Sequence, residues 1–398
     1  MCRSVTPLCV LTSLLATAIA RPLSAQTPPA DQHQHAQQPD DASPWMLMSD
    51  ALVNAMFNHQ GGPRGANEFR APNWWMGMAS RQAGSGRLTF TAMLSLDPLT
   101  VGKAGYAEIF QVGEALDGQP IVDRQHPHDL LMQLAAVWRR PLAGGFALTL
   151  AGGPAGEPAL GPISFMHRPS AEALVLTPLG HHTLDSTHIS FGVATAAIGR
   201  EKWEVEGSVF NGREPDEHRW DFDFGRMDSV AGRLWFRPSP QWEFQVSTGH
   251  LVHPEELEPG DLQRTTASVS WLGRVTDQDF SAVTAGFGVN AAHGVVRHAV
   301  FGEYTRQLAS TALSARAELV ETEAWTGNVG SLTGGVMRSL FSGLRLEALV
   351  GANVTVYAVP EAVRSAYGRP VSFQLFLRIR PQPGHMGRMW NMRMAKPF

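Results

Sequence analysis

Apolar and polar residues alternate along most of this chain with a period of two, which is the pattern of half-buried β-strands. In residues 203–210 the set Trp203, Val205, Gly207 and Val209 alternates with Glu204, Glu206, Ser208 and Phe210. Residues 242–248, 313–319 and 371–380 repeat the pattern. The alternation predicts about sixteen strands, at 46–58, 73–82, 87–96, 130–140, 146–152, 188–198, 203–211, 229–237, 242–251, 264–273, 280–290, 297–307, 311–321, 329–341, 345–358 and 371–380.

Long connections and tight turns alternate between successive predicted strands. Long or polar connections follow the odd-numbered strands, at 59–72, 97–129, 153–187, 212–228, 252–263, 291–296, 322–328 and 359–370. Tight turns such as 83–86 and 239–241 follow the even-numbered ones. Membrane barrels have short turns at one rim, long loops at the other and an even strand count, whereas a β-sandwich has no reason to sort its loops. The pattern predicts an all-β fold, a transmembrane antiparallel up-and-down barrel.

Tryptophans support the same fold, because they fall near the predicted strand ends. They are Trp74, Trp75, Trp138, Trp203, Trp235, Trp242 and Trp271. Aromatic residues at strand ends form girdles at the two membrane interfaces of such barrels. The alternative is that some of them are ordinary core residues.

The N-terminus has the pattern of an export signal. Arg3 precedes a short apolar stretch from Leu8 to Ala20, and small-residue cleavage sites follow at Ala20 and Ala25. Both cysteines, Cys2 and Cys9, lie inside residues 1–25, so a mature chain would have no thiol, no disulfide and no cysteine-ligated metal. Residues 26–44 are rich in Gln, Pro, Asp and His and are predicted to be a disordered leader, followed by the barrel over 45–380.

Over nearly its whole mature length the chain resembles porin-like bacterial outer-membrane barrels. The resemblance implies location in the outer membrane, contact with its lipid and with the assembly machinery, and, by analogy with other sixteen-stranded barrels, a homotrimer. Such barrels usually end on the aromatic residue of the last strand. Here Pro381, Pro383 and Gly384 separate Phe398 from strand 371–380, so residues 381–398 are either a tail or contain the true closing strand at 389–398.

Charged residues at predicted inward positions indicate a candidate pore. The formal net charge of −4 becomes −6 when residues 1–25 are removed, and nothing in it indicates nucleic-acid binding. Charged residues at predicted inward positions would line an aqueous lumen and also pair across strands. They are Glu204, Glu206, Arg233, Arg237, Glu243, Arg316, Glu318, Arg345, Glu347, Arg378 and Arg380. The leading hypothesis is an outer-membrane channel for a small polar solute or ion.

Histidines are concentrated at the long-loop rim, which holds twelve of the fifteen. The densest segments are 123–129 (DRQHPHD) and 181–188 (HHTLDSTH). Imidazole with carboxylate suits a borderline divalent ion, Zn²⁺, Cu²⁺ or Ni²⁺. The predicted ligands are His126, His128, His181, His182 and Asp185, in a barrel whose function would be metal binding or metal tolerance. The alternative is that these side chains only lock the loops into the barrel mouth.

Three further features are weaker indicators. Residues 210–223 are dense in both charges and suggest either a constriction at the pore entrance or a hairpin with internal salt bridges. The Gly/Pro-rich loop 153–187, which contains residues 165–169, is long enough to fold inward. Asp185, Ser186 and His188 are the candidates for a barrel hydrolase, but their spacing does not give a triad, and no G-x-S-x-G, H-E-x-x-H or P-loop motif occurs. No enzyme and no organic cofactor is therefore predicted.

Overall fold

The computed structural model describes residues 45–276, 279–321, 327–343 and 345–382. The chain divides into two compact units, residues 1–46 and 47–398. Of the first unit only Trp45 and Met46 are described. The predicted signal peptide, the predicted leader and residues 383–398 lie outside the described residues.

Strands dominate the described part of the chain. They are β1 (Met46–His59), β2 (Asn67–Arg70), β3 (Asn73–Ala83), β4 (Gly86–Leu94), β5 (Tyr106–Leu116), β6 (Gln119–Gln125), β7 (Leu131–Pro141), β8 (Phe146–Gly156), β9 (Ser190–Arg200), β10 (Trp203–Phe210), β11 (Ser229–Ser239), β12 (Trp242–Leu251), β13 (Leu262–Thr276), β14 (Asp279–Ala292), β15 (Val295–Leu308), β16 (Thr311–Val320), β17 (Val329–Gly343), β18 (Leu346–Ala358) and β19 (Val371–Pro381). Three one-turn helices are α1 (Asp97–Thr100), α2 (His181–Leu184) and α3 (Arg364–Tyr367). None of the described helices is long and apolar enough to cross a lipid bilayer.

One antiparallel sheet closes on itself. Within the described residues, sixteen strands form the ring, and the short β2 pairs with β1 just ahead of β3. β19 closes the barrel directly on β1, with Val53 opposite Ile379 and His59 opposite Phe373. The predicted all-β up-and-down barrel of about sixteen strands is confirmed, and the strand at 371–381 is its closing strand.

The two faces of the wall have opposite chemistry. Val205, Leu234 and Val246 lie side by side on β10, β11 and β12, and all three are about half exposed on the outer surface. Their chain neighbours Glu206 on β10 and Arg233 on β11 lie opposite each other on the inner face, and both are buried. A closed sheet with an apolar outer band satisfies every backbone group in hydrocarbon, so this barrel is built to span a membrane.

Connections follow the predicted parity with one exception. The predicted polar connection 291–296 is instead a two-residue turn, His293-Gly294, between β14 and β15. Both residues have positive φ, 53° and 75°, which suits the tight hairpin turn whose twist matches that of its strands. The prediction for 291–296 was wrong because His-Gly supplies a turn where a polar loop was inferred.

Two of the seven predicted girdle tryptophans face the lumen. Trp203 and Trp242 lie on the outer surface, but Trp235 is 1% exposed and donates its Nε1 hydrogen to Glu206 at 3.0 Å. Trp74 is also on the inward row of β3, together with Met76 and Met78. A position near the end of a strand does not determine which face a side chain takes. The alternation of inward and outward positions along the strand does.

A loop crosses the lumen. Residues 157–188, here called the plug segment, connect β8 to β9 and are mostly buried. Its backbone bonds to inward side chains around the barrel: Ala159 N donates to Ser208 Oγ (2.7 Å), Gly161 N to Ser247 Oγ (2.9 Å), Ala173 N to Ser314 Oγ (3.1 Å) and Val175 N to Asn353 Oδ1 (3.0 Å). The plug segment therefore fills the barrel instead of lying above it.

A second inward element lies beside it. The hairpin of β5 and β6, here called the mouth hairpin, forms a sheet of its own. It is anchored to the wall where Asn58 Nδ2 donates to Ala107 O at 2.6 Å, and to the plug segment where Gln111 Nε2 donates to Pro178 O at 3.1 Å. Sequence analysis placed this hairpin within the loop 97–129 and did not predict it.

Replacing Val246 with Arg tests the lipid-facing surface. A guanidinium near the middle of β12 on this face would lose about 2–4 kcal/mol of unfolding free energy, the cost of Arg near the bilayer midplane. The measurement is urea unfolding in phospholipid vesicles, with Val246→Leu as control. Equal stability of the Arg variant and the parent would contradict an outer face in contact with lipid.

Candidate metal centre

Five histidine rings meet at the long-loop end of the lumen. His126 and His128 follow β6 on either side of Pro127, while His181 and His182 open α2 and His188 ends a 3₁₀ turn four residues later. The ring centres of neighbouring pairs lie 5.2–5.8 Å apart: His181–His188 at 5.2 Å, His126–His182 and His181–His182 at 5.4 Å, and His128–His188 at 5.8 Å. We call these five residues the histidine centre.

The structure brings together all four histidines predicted from the sequence and adds His188. His188 lies in the same His-rich segment, seven residues after His181, and this position could have identified it from the sequence. Proximity of the two segments follows from the mouth hairpin and the plug segment packing against each other, which no local pattern predicts.

Every ring of the histidine centre is held through Nδ1. The Nδ1 partners are the Pro127 carbonyl (3.2 Å) and Glu114 Oε1 (3.1 Å) for His126, Asp97 Oδ2 for His128 (2.9 Å), Asp185 Oδ1 for His181 (2.7 Å), Glu214 Oε1 for His182 (3.2 Å) and the Asp185 carbonyl for His188 (2.8 Å). An imidazole that donates its Nδ1 hydrogen presents a lone pair at Nε2, and this arrangement fixes metal-binding histidines in proteins.

Two of the Nε2 atoms are buried without a hydrogen-bond partner among the described residues, those of His182 and His188. Leaving a buried polar atom unpaired costs about 1–3 kcal/mol. The rings are nevertheless reachable from the loop side, because the His126, His128 and His182 side chains remain 10%, 14% and 12% exposed. The centre thus combines two buried, unpaired ring nitrogens with three side chains that solvent partly reaches.

Burial keeps most of these rings neutral. It lowers the pKa of His188 to about 3, helped by the neighbouring His181 and His128. It lowers the pKa of His126 and of His181 as well. Burial acts in the same direction on His182, but the Glu214 carboxylate outweighs it and raises that pKa. Neutral imidazole is the form that ligates a metal.

Asp185 orients the centre. Its Oδ1 accepts from His181, and its Oδ2 accepts from Arg168 Nη1 at 3.1 Å and from Phe165 N at 3.1 Å. Burial disfavours ionisation of Asp185, yet His181 and Arg168 hold its pKa well below the usual range. These bonds give Asp185 a positioning role toward His181, and Asp185 as a metal ligand stays a prediction.

Carboxylates outside the predicted ligand set complete the surroundings. Asp97 in α1 and Glu114 in β5 both lie in the connection between β4 and β7, whereas Glu214 follows β10 and Glu255 follows β12. One ligand atom each of His182, Glu214 and Glu255 lie within 4.8 Å of one another, close enough to hold a common ion. Glu214 belongs to the charged segment 210–223, whose role as a constriction or as a salt-bridged hairpin was left open.

The solved structures that this chain resembles are outer-membrane barrels. Similar ones include OprB of Pseudomonas putida (TM-score 0.55, 10% identity, 85% of this chain and 94% of that chain) and an anion-selective porin from Comamonas acidovorans (0.51, 9%, 85% and 99%). A loop L8 deletion mutant of OmpT, an outer membrane protein of Vibrio cholerae, is similar too (0.50, 9%, 85% and 100%). The chain has the fold of bacterial porins. No protein-family model and no curated protein matches the sequence.

Within this porin fold, most of the predicted pore-lining charges contact inward elements or each other. Three arginines donate to carbonyls of the plug segment: Arg233 to Gly161 (2.7 Å), Arg316 to Leu176 (3.1 Å) and Arg378 to Glu172 (2.6 Å). Glu318 accepts a hydrogen bond from Gly180 N (3.3 Å). Arg380 pairs with Glu172 and Glu347. Glu206 pairs with Arg233, Glu204 with Arg139, and Arg237 with Glu243. Arg345 differs from the prediction, because it lies exposed in the turn before β18 and has positive φ.

The most buried of these contacts is an Arg–Glu–Arg network. Arg168 of the plug segment donates two hydrogen bonds to Glu303 on β15, each 2.9 Å long, and Arg316 on β16 donates a third of 2.9 Å. Arg168 also lies 4.6 Å from the centre of the Phe301 ring. Since Arg168 bonds Asp185 as well, the network ties the histidine centre to the barrel wall.

The candidate hydrolase residues have other partners. Ser186 Oγ accepts from Arg264 Nη1 at 2.8 Å, the Asp185 carboxylate bonds His181, and His188 bonds the Asp185 carbonyl. These contacts do not assemble the three residues into a Ser–His–Asp triad.

Replacing Arg168 with Met tests the anchoring of the plug segment. The change leaves Glu303 and Asp185 short of a buried partner, which costs about 3–5 kcal/mol. We expect proteinase K to cut within residues 157–188 at least tenfold faster than in the parent, while the barrel keeps its resistance to unfolding in SDS.

Arg237→Met is the matched control, because it removes the Arg237–Glu243 wall pair, which is 2.6 Å long and does not touch the plug segment. Equal cleavage of the Arg168 variant and this control would show that the Arg168 network does not hold the plug segment in place.

Proposed function

We propose that this outer-membrane barrel captures a divalent transition-metal ion, Zn²⁺, Cu²⁺ or Ni²⁺, at the histidine centre in its mouth. The observation that carries the proposal is the set of five clustered imidazoles, each with Nδ1 against a carboxylate or carbonyl oxygen, together with the buried and unpartnered Nε2 atoms of His182 and His188. Nitrogen donors of this kind suit borderline divalent ions, whereas Ca²⁺ and Mg²⁺ prefer oxygen.

Spacing supports a shared ion. Two imidazoles that ligate one tetrahedral ion at 2.0–2.1 Å hold their ring centres about 5 Å apart. The 5.2 Å and 5.4 Å separations around His181 are close to that value for pairs of rings. Among the described residues around the centre, the three ligand atoms that lie within 4.8 Å of one another are those of His182, Glu214 and Glu255, so carboxylate oxygens would complete the coordination. Pure loop-locking would also bury histidines, but it would pair both ring nitrogens, and the Nε2 atoms of His182 and His188 have no such partner among the described residues.

Removing the imidazoles tests this proposal. Replacing His126, His128, His181 and His182 together with Ala should weaken Zn²⁺ binding at least 100-fold in isothermal titration calorimetry on the detergent-solubilised barrel. Asp97→Asn leaves every ring in place but replaces the carboxylate that anchors His128 and also accepts from Asn73 N. It should cost about 10–100-fold, the usual effect of losing a carboxylate that orients a ligand.

His218→Ala with His253→Ala is the control, because both side chains are exposed and lie outside the centre. Its affinity should equal that of the parent. A quadruple variant that still binds Zn²⁺ as tightly as the parent would refute the histidine centre as the metal site. Competition with Cu²⁺ and Ni²⁺ then ranks the ions.

Conduction of ions through the barrel is a second candidate function. It is favoured by the porin fold and by a cavity of about 100 Å³ beside β7–β10, lined by Arg139, Glu204 and Glu206 among others. The solute, the trimeric state and contact with the assembly machinery remain predictions from the architecture. A channel of this design would be closed by the plug segment and opened by its displacement.

Planar-bilayer recording tests this second function. The parent should conduct little, and the Arg168→Met variant should show several-fold larger conductance because its plug segment is less firmly held. Arg237→Met should behave as the parent. If the Arg168 variant stays silent even though proteolysis shows its plug segment released, the barrel is not a channel, and metal capture stands on its own.

A further inference from the structure

Methionines are concentrated at one place in the lumen. Ten of the fifteen methionines lie within the described residues, and six of these ten meet in one cluster. The cluster contains Met76, Met78, Met93 and Met132, with Met48 and Met166 packed against it. We call these six residues the thioether cluster.

Strand register places the sulfur-bearing side chains face to face. Met76 on β3 lies directly opposite Met93 on β4, and Met78 is the next inward position along β3. Directly opposed residues have Cβ atoms about 4.5–5.5 Å apart, well within reach of two flexible thioether side chains. Met132 enters from β7, the strand that pairs with β4. All four side chains are at most 4% exposed.

The thioethers interrupt a polar surface. Further along the same two strands the inward positions are Ser80, Thr89 and Thr91, and inward positions elsewhere in the barrel are mostly Ser, Thr, Asn, Gln or charged. Methionine also serves as a flexible filler in apolar cores, but branched aliphatic residues define a packed core better. Four unbranched thioethers at adjoining lumen positions are therefore a chemical feature as well as a packing solution.

An indole and an imidazole border the thioether cluster. Trp74 is the inward residue of β3 next to Met76, and its Nε1 is buried without a hydrogen-bond partner among the described residues. The buried ring of His167 lies 5.3 Å from the Trp74 ring, centre to centre. Because Trp74 packs against the cluster, a cation held by the sulfurs would have an aromatic ring among its neighbours.

The thioether cluster adjoins the histidine centre. Ile189 and Phe191 belong to its apolar surroundings, and Ile189 directly follows His188. On the opposite side Met78 also lines the cavity of about 100 Å³ that reaches toward the short-turn rim. The thioethers thus lie between the imidazoles at the mouth and the open space deeper in the barrel.

We propose that the thioether cluster is a binding site for a soft monovalent ion, Cu⁺ or Ag⁺, separate from the histidine centre. Thioether sulfur selects soft ions of this kind over Zn²⁺ and Ni²⁺. The juxtaposition that carries the proposal is Met76 opposite Met93, with Met78, Met132 and Trp74 around them. The ion enters already monovalent, and no redox step is part of the proposal.

Silver binding with a sulfur-specific readout tests the site. Ag⁺ is the probe because it needs no reductant. The full barrel in detergent should bind it with sulfur neighbours in Ag X-ray absorption. Met76→Leu with Met93→Leu, a swap that conserves volume and hydrophobicity, should lower Ag⁺ affinity at least tenfold and remove sulfur scatterers.

Two comparisons keep the result specific. Met56→Leu with Met337→Leu is the matched control, because both are buried methionines of a different cluster, and it should bind as the parent does. The Met76→Leu, Met93→Leu change is also made in the quadruple-histidine variant, where it should again lower sulfur-ligated Ag⁺ binding at least tenfold. If the histidine centre does not bind metal, the expected Ag⁺ binding by the thioether cluster stays the same.

Three outcomes would overturn the thioether site. One is a parent barrel that does not bind Ag⁺. Another is binding through nitrogen alone with no sulfur shell. The third is unchanged affinity in the Met76→Leu, Met93→Leu variant, which would leave the cluster a packing feature only.

Discussion

Closure of β19 on β1 is the constraint on which the rest of the structure depends. In hydrocarbon each backbone N–H and C=O needs a partner within the protein, and a ring of strands leaves no open edge. Once the ring is closed, a period of two sends alternate side chains to lipid and to lumen. Val205 and Leu234 therefore face outward, and the neighbouring Glu206 and Arg233 must find partners inside the barrel.

Inward charge in turn determines what the lumen contains. In a wide barrel such groups can face water, but here they bond to the plug segment, and several of its carbonyls accept from arginines of the wall. In the opposite direction, Arg168 of the plug segment pairs with Glu303 of the wall, and it also pairs with Asp185 within the plug segment. Because Asp185 positions His181, the orientation of the histidine centre is linked through two ion pairs to the barrel wall.

Sequence predicted what is local and missed what is tertiary. Strand β10 lies at Trp203–Phe210 against a predicted 203–211, because alternation and turn residues are properties of short segments. The direction of Trp235 depends on a parity that end position does not reveal. Histidine density marked four of the five rings, since all lie in two short segments. Their anchors Asp97 and Glu214 could not be predicted, because the loops that carry them meet only after the barrel closes and the mouth hairpin folds inward.

The charges around the histidine centre would respond to a bound cation. Four carboxyl groups lie against its rings, Asp97, Glu114, Asp185 and Glu214, and Arg168 and Arg219 pair with two of them. Burial raises the pKa of Glu114 to about 8 although Arg219 opposes it, so the protonated form of this carboxyl is favoured at neutral pH. A bound divalent cation is often the largest local charge in a protein site and reverses such shifts. Under the metal-capture proposal, an ion on the Nε2 atoms would favour ionisation of Glu114 and so strengthen its contact with His126.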